Sequence, residues 1–117
     1  MKGIVYSSGQ RGLTWGYNVC AEGYHFLYEA QRDMVMPVLR ASRISVLGPC
    51  DLTCKQKEIE LPLQAETALR RFKAGDAREI EWPTYSMDEL RSGKFGRFTD
   101  GQLAVHEGAR KARFGLD

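Results

Sequence analysis

Residues 57–75, KEIELPLQAETALRRFKAG, and residues 78–96, REIEWPTYSMDELRSGKFG, are two versions of one stretch set 21 positions apart. Eight of nineteen aligned positions are identical: Glu58/Glu79, Ile59/Ile80, Glu60/Glu81, Pro62/Pro83, Leu69/Leu90, Arg70/Arg91, Lys73/Lys94 and Gly75/Gly96. Lys57/Arg78 and Leu61/Trp82 are similar in kind. Each copy opens on alternating charged and apolar residues, the pattern of a strand with one buried face. It then meets a proline, which cannot donate to a ladder. A short helical pattern follows and ends at glycine. A chain that writes this unit twice must place two strands and two helices in its second half. Neighbouring parallel copies would be joined by a right-handed crossover. Two copies are too few for a solenoid.

The helical parts carry their own punctuation. Gln64 to Ala74 sets Ala68, Leu69 and Phe72 on one side. Ser86-Met87-Asp88-Glu89 is a capping box, in which the serine oxygen accepts from the third helical amide and the glutamate reaches back. The first copy has Ala65 where the second has Ser86, so the two helices are expected to start differently. Thr99-Asp100-Gly101-Gln102 is a second box, opening a terminal helix over 102–114 with Gly115 as its stop. Phe98, just before that cap, is placed for a hydrophobic staple to Leu103 or Val105.

The first half reads β-rich and glycine-punctuated. Ile4-Val5-Tyr6 is a strand signal, Ser7 to Gly12 a turn, and Leu13 to Cys20 a second strand. Gly16 inside that strand points to a bulge or a close backbone approach. Ala21-Glu22-Gly23 is the next turn. Residues 24–33 read as a helix or an extended arm, 34–39 as a strand around Pro37, and 43–47 as another strand ended by Gly48-Pro49. Gly48 to Gln56 reads as an exposed loop. The expected fold is α+β in a single small domain over 1–117. It has a β-rich part over 1–56, two strand–helix repeats over 57–96 and a terminal helix over 99–114. The helices pack as one layer on one sheet.

A chain of 117 residues suffices for one core. No apolar run approaches membrane-spanning length, and MKGIVYSSGQRG lacks the apolar region of an export signal. The three cysteines, Cys20, Cys50 and Cys54, therefore read as reduced thiols of a cytoplasmic protein. Net charge is +2, too small to imply a nucleic-acid partner, but its distribution is uneven. Residues 64–90 hold four basic and six acidic side chains, whereas 91–114 hold six basic and two acidic. A field of that sign attracts anions or an acidic protein face.

Each chemical motif has a structural alternative beside it. Cys20, His25, Cys50 and Cys54 could supply four ligands to a tetrahedral zinc, although the spacing is not the tight knuckle of zinc motifs. Against this, His25 sits among aromatics, where packing is the commoner role. The gap between Cys50 and Cys54 also misses that of thioredoxin-like pairs. His106 and Glu107 could do acid–base work, yet adjacent helical residues point apart. Ser8 to Gly12 lacks the lysine and hydroxyl of a nucleotide-binding loop and suits a hairpin turn. Lys94-Phe95-Gly96-Arg97-Phe98 interleaves charge and rings, as single-strand binders do. The favoured alternative puts Phe95 and Phe98 in the core and leaves Lys94 and Arg97 solvated. Arg110, Lys111 and Arg113 end the last helix, where the dipole favours cations. Trp15, Tyr17, Tyr24 and Tyr28 are read mainly as core, with one or two left exposed at an interface.

These readings lead to a small intracellular binding protein without enzymatic activity or cofactor. It would act by contact with a host or cellular protein, and its size fits a phage or mobile-element accessory protein that inhibits a host nucleoprotein machine. The second expectation is nucleic-acid binding through Lys94, Phe95, Arg97, Arg110, Lys111 and Arg113. The third is a zinc protein or small enzyme built on the cysteines and histidines.

Overall fold

A computed structural model of the chain describes residues 1–32, 39–51 and 57–115. The expected strand over 34–39 lies almost wholly outside the described residues, as do Cys54 and most of the loop after Asp51. The α+β expectation holds. Strands β1 (Lys2–Arg11), β2 (Thr14–Ala21), β3 (Tyr24–Arg32), β4 (Leu39–Pro49), β5 (Lys57–Glu60) and β6 (Glu79–Pro83) form one six-stranded sheet in the order β5-β1-β2-β3-β4-β6. Every pairing is antiparallel. The helices are α1 (Gln64–Lys73), α2 (Met87–Arg91) and α3 (Asp100–Phe114).

Two tight turns set the register of the first three strands. Gly12 (φ +60°) and Leu13 join Arg11 to Thr14, with the left-handed residue first. Glu22 (φ +51°) and Gly23 (φ +78°) join Ala21 to Tyr24, the double positive-φ pattern whose twist suits a hairpin. The first turn corrects the expectation of a loop over Ser7 to Gly12. Ser7 to Arg11 is strand, because closing the hairpin at Gly12 puts each residue opposite a β2 partner despite weak β propensity. The same register overturns the helical option for 24–33. Tyr24, Phe26, Tyr28 and Ala30 alternate inward on a strand. The bulge expected at Gly16 is elsewhere: Gly16 pairs regularly with Gly9, and the register slips at Tyr6, between Val5 and Ser7.

The two repeat copies part company in space. Their strands lie at opposite edges of the sheet, so the parallel-neighbour arrangement does not arise. Ile59 and Ile80 nevertheless face the same core, as do Leu61 and Trp82. The edges are five strand spacings apart, about 24 Å, whereas the ten residues of α1 rise only about 15 Å. The segment after α1 covers the rest of the return. As it crosses, α1 buries Ala65, Ala68 and Leu69 against Phe26, Ile44 and Val46. The helix of the second copy does something else. Met87 and Leu90 of α2 join Tyr85, Phe95, Phe98 and Leu103 in a separate small cluster beneath α3.

The helices also start differently. Ser86 accepts from the Glu89 amide at 3.1 Å, and Thr99 accepts from the Gln102 amide at 3.2 Å; both boxes are closed by the return bond from the third residue. α1 begins at Leu63 without a side-chain cap, relying on turn bonds from Ala65 to Pro62 and Glu66 to Leu63. Gly115 closes α3 in the left-handed conformation at φ +64°. Leu103, four places beyond the Thr99 cap, packs in the cluster with Phe98, while Val105 stays 61% exposed, so the staple is made to Leu103. At the other end of the sheet the Met1 ammonium lies 2.8 Å from Glu60, whose hydrogen bond raises the amine pKa while the carboxyl is held below its ordinary range.

Cys20 and Cys50 are joined by a disulfide across a sequence separation of 30. This corrects the reduced-thiol reading for those two residues, and with it the thiol argument for a cytoplasmic location, since disulfides persist in oxidising compartments. The pairing follows from topology. Cys20 lies near the end of β2, and Cys50 leaves β4 beside the β2–β3 turn, where its N–H donates to Gly23 O at 2.8 Å. Among the described residues no helix is long and apolar enough to cross a membrane.

Candidate functional site

The residues expected to bind nucleic acid are not presented as a single open basic surface. Lys94 Nζ sits 3.2 Å from Glu89 and above the Phe95 ring at 5.5 Å. That contact and Ser86 hold the Glu89 carboxyl below its usual range, with the Lys94 hydrogen bond the larger cause. Phe95 and Phe98 pack in the Tyr85 cluster, as the structural alternative has it. Lys111 Nζ reaches Glu107 at 4.0 Å, and Arg113 pairs with Glu81 on β6, tying the end of α3 to the sheet edge. The Arg110 guanidinium lies over the Tyr85 ring at 5.6 Å. Arg91, in the same stretch, is shared between Glu107 at 3.4 Å and Asp88 at 3.8 Å. Arg97 is exposed and lines a hollow of about 300 Å³ with Arg91, Gly93, Gly96 and Phe98. The window 91–114 looked basic because three of the carboxylates that answer it, Glu81, Asp88 and Glu89, lie upstream in the chain.

The metal candidates are partly gathered and then spent. Cys20 and His25 are direct cross-strand partners, and Cys50 is bonded to Cys20. Both sulfurs are used in the disulfide, and Cys54 lies outside the described residues. No group of three metal-ligating side chains occurs among the described residues. His25 packs its ring edge-on against Tyr6 at 5.3 Å, the packed-histidine alternative. His106 and Glu107 point apart. His106 is only 3% exposed and shares a 3.0 Å hydrogen bond with Tyr85 Oη, whereas Glu107 faces Arg91 and Lys111 outside.

The structure draws attention instead to the β1–β2 hairpin. β5 pairs with β1 only from Lys2 to Val5. Among the described residues nothing pairs the outer side of β1 from Ser7 to Arg11, and all five of these residues are exposed. Side-chain alternation fixes which face is which. Tyr17 and Val19 point to the α1 face, since Val19 is in the core beneath α1. Gly16 and Asn18 therefore point to the opposite face, together with Leu27 and Glu29 of β3.

On that face Gly9 and Gly16 stand directly opposite each other. With no side chains on either, they floor a depression of about 480 Å³, walled by Leu27 and rimmed by Arg11, Thr14, Asn18 and Glu29. A methyl built on Gly9 would meet nothing within 4 Å, and one on Gly16 only Leu27 Cδ1 at 3.8 Å. Among the described residues, packing thus does not demand either glycine. Leu13 in the turn is 41% exposed, and on the α1 face Tyr17, 37% exposed, begins a row of tilted rings through Tyr28 to Trp82 at centroid distances of 6.3 and 6.2 Å.

The molecule is a small α+β protein with one antiparallel sheet, a helix across one face and, among the described residues, an unpaired strand edge beside a shallow polar-rimmed depression. Comparison with protein-family models, curated proteins and solved structures returns no match.

Proposed function

We propose that this protein is a non-enzymatic binding module that acts by protein–protein contact through its β1–β2 hairpin. The observation that carries the reading is the outer side of β1 from Ser7 to Arg11, unpaired among the described residues, beside the Gly9/Gly16 depression. An exposed edge offers a row of backbone donors and acceptors to an incoming extended segment. In strand addition those groups supply affinity, and pockets for alternate side chains supply selectivity. Here the depression would take one such side chain of the partner, between Arg11 and Glu29. Among the described residues, this stretch has of the usual edge protections the single charge of Arg11. It carries no lysine or proline, and the bulge at Tyr6 precedes it.

The test is affinity capture from cell lysate, with and without nuclease, using the wild-type chain and Gly9→Leu. The leucine fills the depression without a clash at its Cβ. A protein retained through nuclease treatment by the wild type and lost by Gly9→Leu is the expected result. Equal capture by both chains, or loss of all bound protein on nuclease treatment, would refute the reading.

A further inference from the structure

The three helices of the described residues all end in cations, which the helix dipole favours. On α2 and α3 the cations in or just after the last turn are answered by carboxylates: Arg91 by Asp88 and Glu107, Lys94 by Glu89, Lys111 by Glu107 and Arg113 by Glu81. On α1 they are not. Among the described residues no carboxylate comes within ion-pairing distance of Arg70, Arg71, Lys73 or Arg78. The dipole accounts for the first three. It does not account for Arg78, which lies beyond Gly75 and the end of the helix.

Arg78 is nonetheless held to the same place. Its guanidinium lies over the Phe72 ring at 5.4 Å, Lys73 Nζ lies over Tyr24 at 5.3 Å, and the two rings meet edge to face at 5.8 Å. Arg70 and Arg71, on the solvent side of α1, flank a hollow of about 320 Å³ with Thr67, Ala74 and Asp76. Two cations are thus fixed on an aromatic pair, with two more on the turn beside them.

We infer that this end of α1 is a docking surface for an acidic protein face. Three of its four cations are arginines, whose planar forks suit bidentate carboxylate recognition. Two features favour a protein over a nucleic acid. Four cations would release the counterions of about four phosphates, so the backbone term that drives nucleic-acid binding is small here. Cations occupy faces of Tyr24 and Phe72 that bases would otherwise stack on. The surface is separate from the hairpin edge, so failure at one leaves the other standing.

Amide ¹⁵N–¹H titration of the folded chain with two probes of equal charge tests the inference. One probe is a peptide of ten glutamates, standing for an acidic face; the other is an eleven-nucleotide oligothymidylate. The glutamate peptide is expected to shift amides over 70–78 and to bind more tightly than the oligonucleotide at the same ionic strength. Arg70→Glu/Arg71→Glu should weaken peptide binding by roughly tenfold or more. The core face of α1 is untouched by that change, so the remaining spectrum should be preserved. Tighter binding of the oligonucleotide at the same amides would overturn the protein assignment in favour of nucleic acid. Shifts centred on Arg97, Arg110 and Lys111, or no shifts with either probe, would overturn the site itself.

Discussion

Removing the Cys20–Cys50 bond tests the reasoning about this fold most directly. The bond closes a loop with a sequence separation of 30, and cross-linking over that length removes about 12 cal/mol/K from the unfolded ensemble, or about 3.6 kcal/mol at 25 °C. A chain of 117 residues has a melting entropy of about 250 cal/mol/K, so the loss corresponds to roughly 15 °C in Tm. The perturbations are reduction by a phosphine and the double substitution Cys20→Ala/Cys50→Ala, compared with the oxidised chain by thermal and urea unfolding. Both should lose a similar amount while keeping the far-ultraviolet spectrum, because the ladder and the Phe26 core do not depend on the bond. Denatured but unreduced protein should titrate one thiol of its three cysteines. Three reactive thiols would show that the pair is not bonded. One thiol with a loss below about 1 kcal/mol would refute loop closure as the source of the stabilisation.

Four further outcomes follow from the packing and the caps. A methyl at Gly3 would overlap Val19 Cγ1 and press on Ala21 Cβ and Leu61 Cδ1 at 3.2 and 3.3 Å, so Gly3→Ala should cost about 1–3 kcal/mol in urea unfolding, whereas Gly9→Ala should cost far less. Ser86→Ala should cost about 1 kcal/mol, because it opens the box that starts α2. The same box should respond to pH: Glu89 titrates below its ordinary 4.5, so its contribution is present above that pH and is lost as pH falls through the lowered value. The Ser86 and Lys94 amide shifts should report that loss, and Glu89→Gln should abolish the pH dependence. Phe98→Ala should destabilise by roughly 2 kcal/mol through lost burial, while Arg97→Ala stays within about 0.5 kcal/mol, as measured by urea midpoints.

Much of the local structure was legible because its causes are local. The boxes at Ser86 and Thr99 need only residues three apart, and the Gly115 stop needs one glycine. The inward faces of β5 and β6 follow from Glu-Ile-Glu alternation. The missing cap on the first repeat helix was readable from Ala65. The turn at Glu22-Gly23 was readable as well, but the end of the first hairpin was not. Ser7 to Arg11 looks like a loop by composition, and becomes strand only because β2 lies beside it.

The candidate site was hidden for the same reason. Gly9 and Gly16 are unremarkable seven residues apart in the chain; facing each other across two strands, they open a depression. The basic C-terminal stretch shows the converse. Its charge excess is a property of a sequence window, and folding brings Glu81, Asp88 and Glu89 up to cancel most of it. The twin strand–helix units show where the division falls. Their shared sequence determined two strands with the same face turned inward and a helix after each. Only the tertiary structure decided that those strands lie at opposite edges of one sheet, that one helix covers the core and that the other joins a separate cluster. Alternation and caps act over a few residues, whereas the place of a strand in a sheet depends on which distant partner completes its hydrogen bonds.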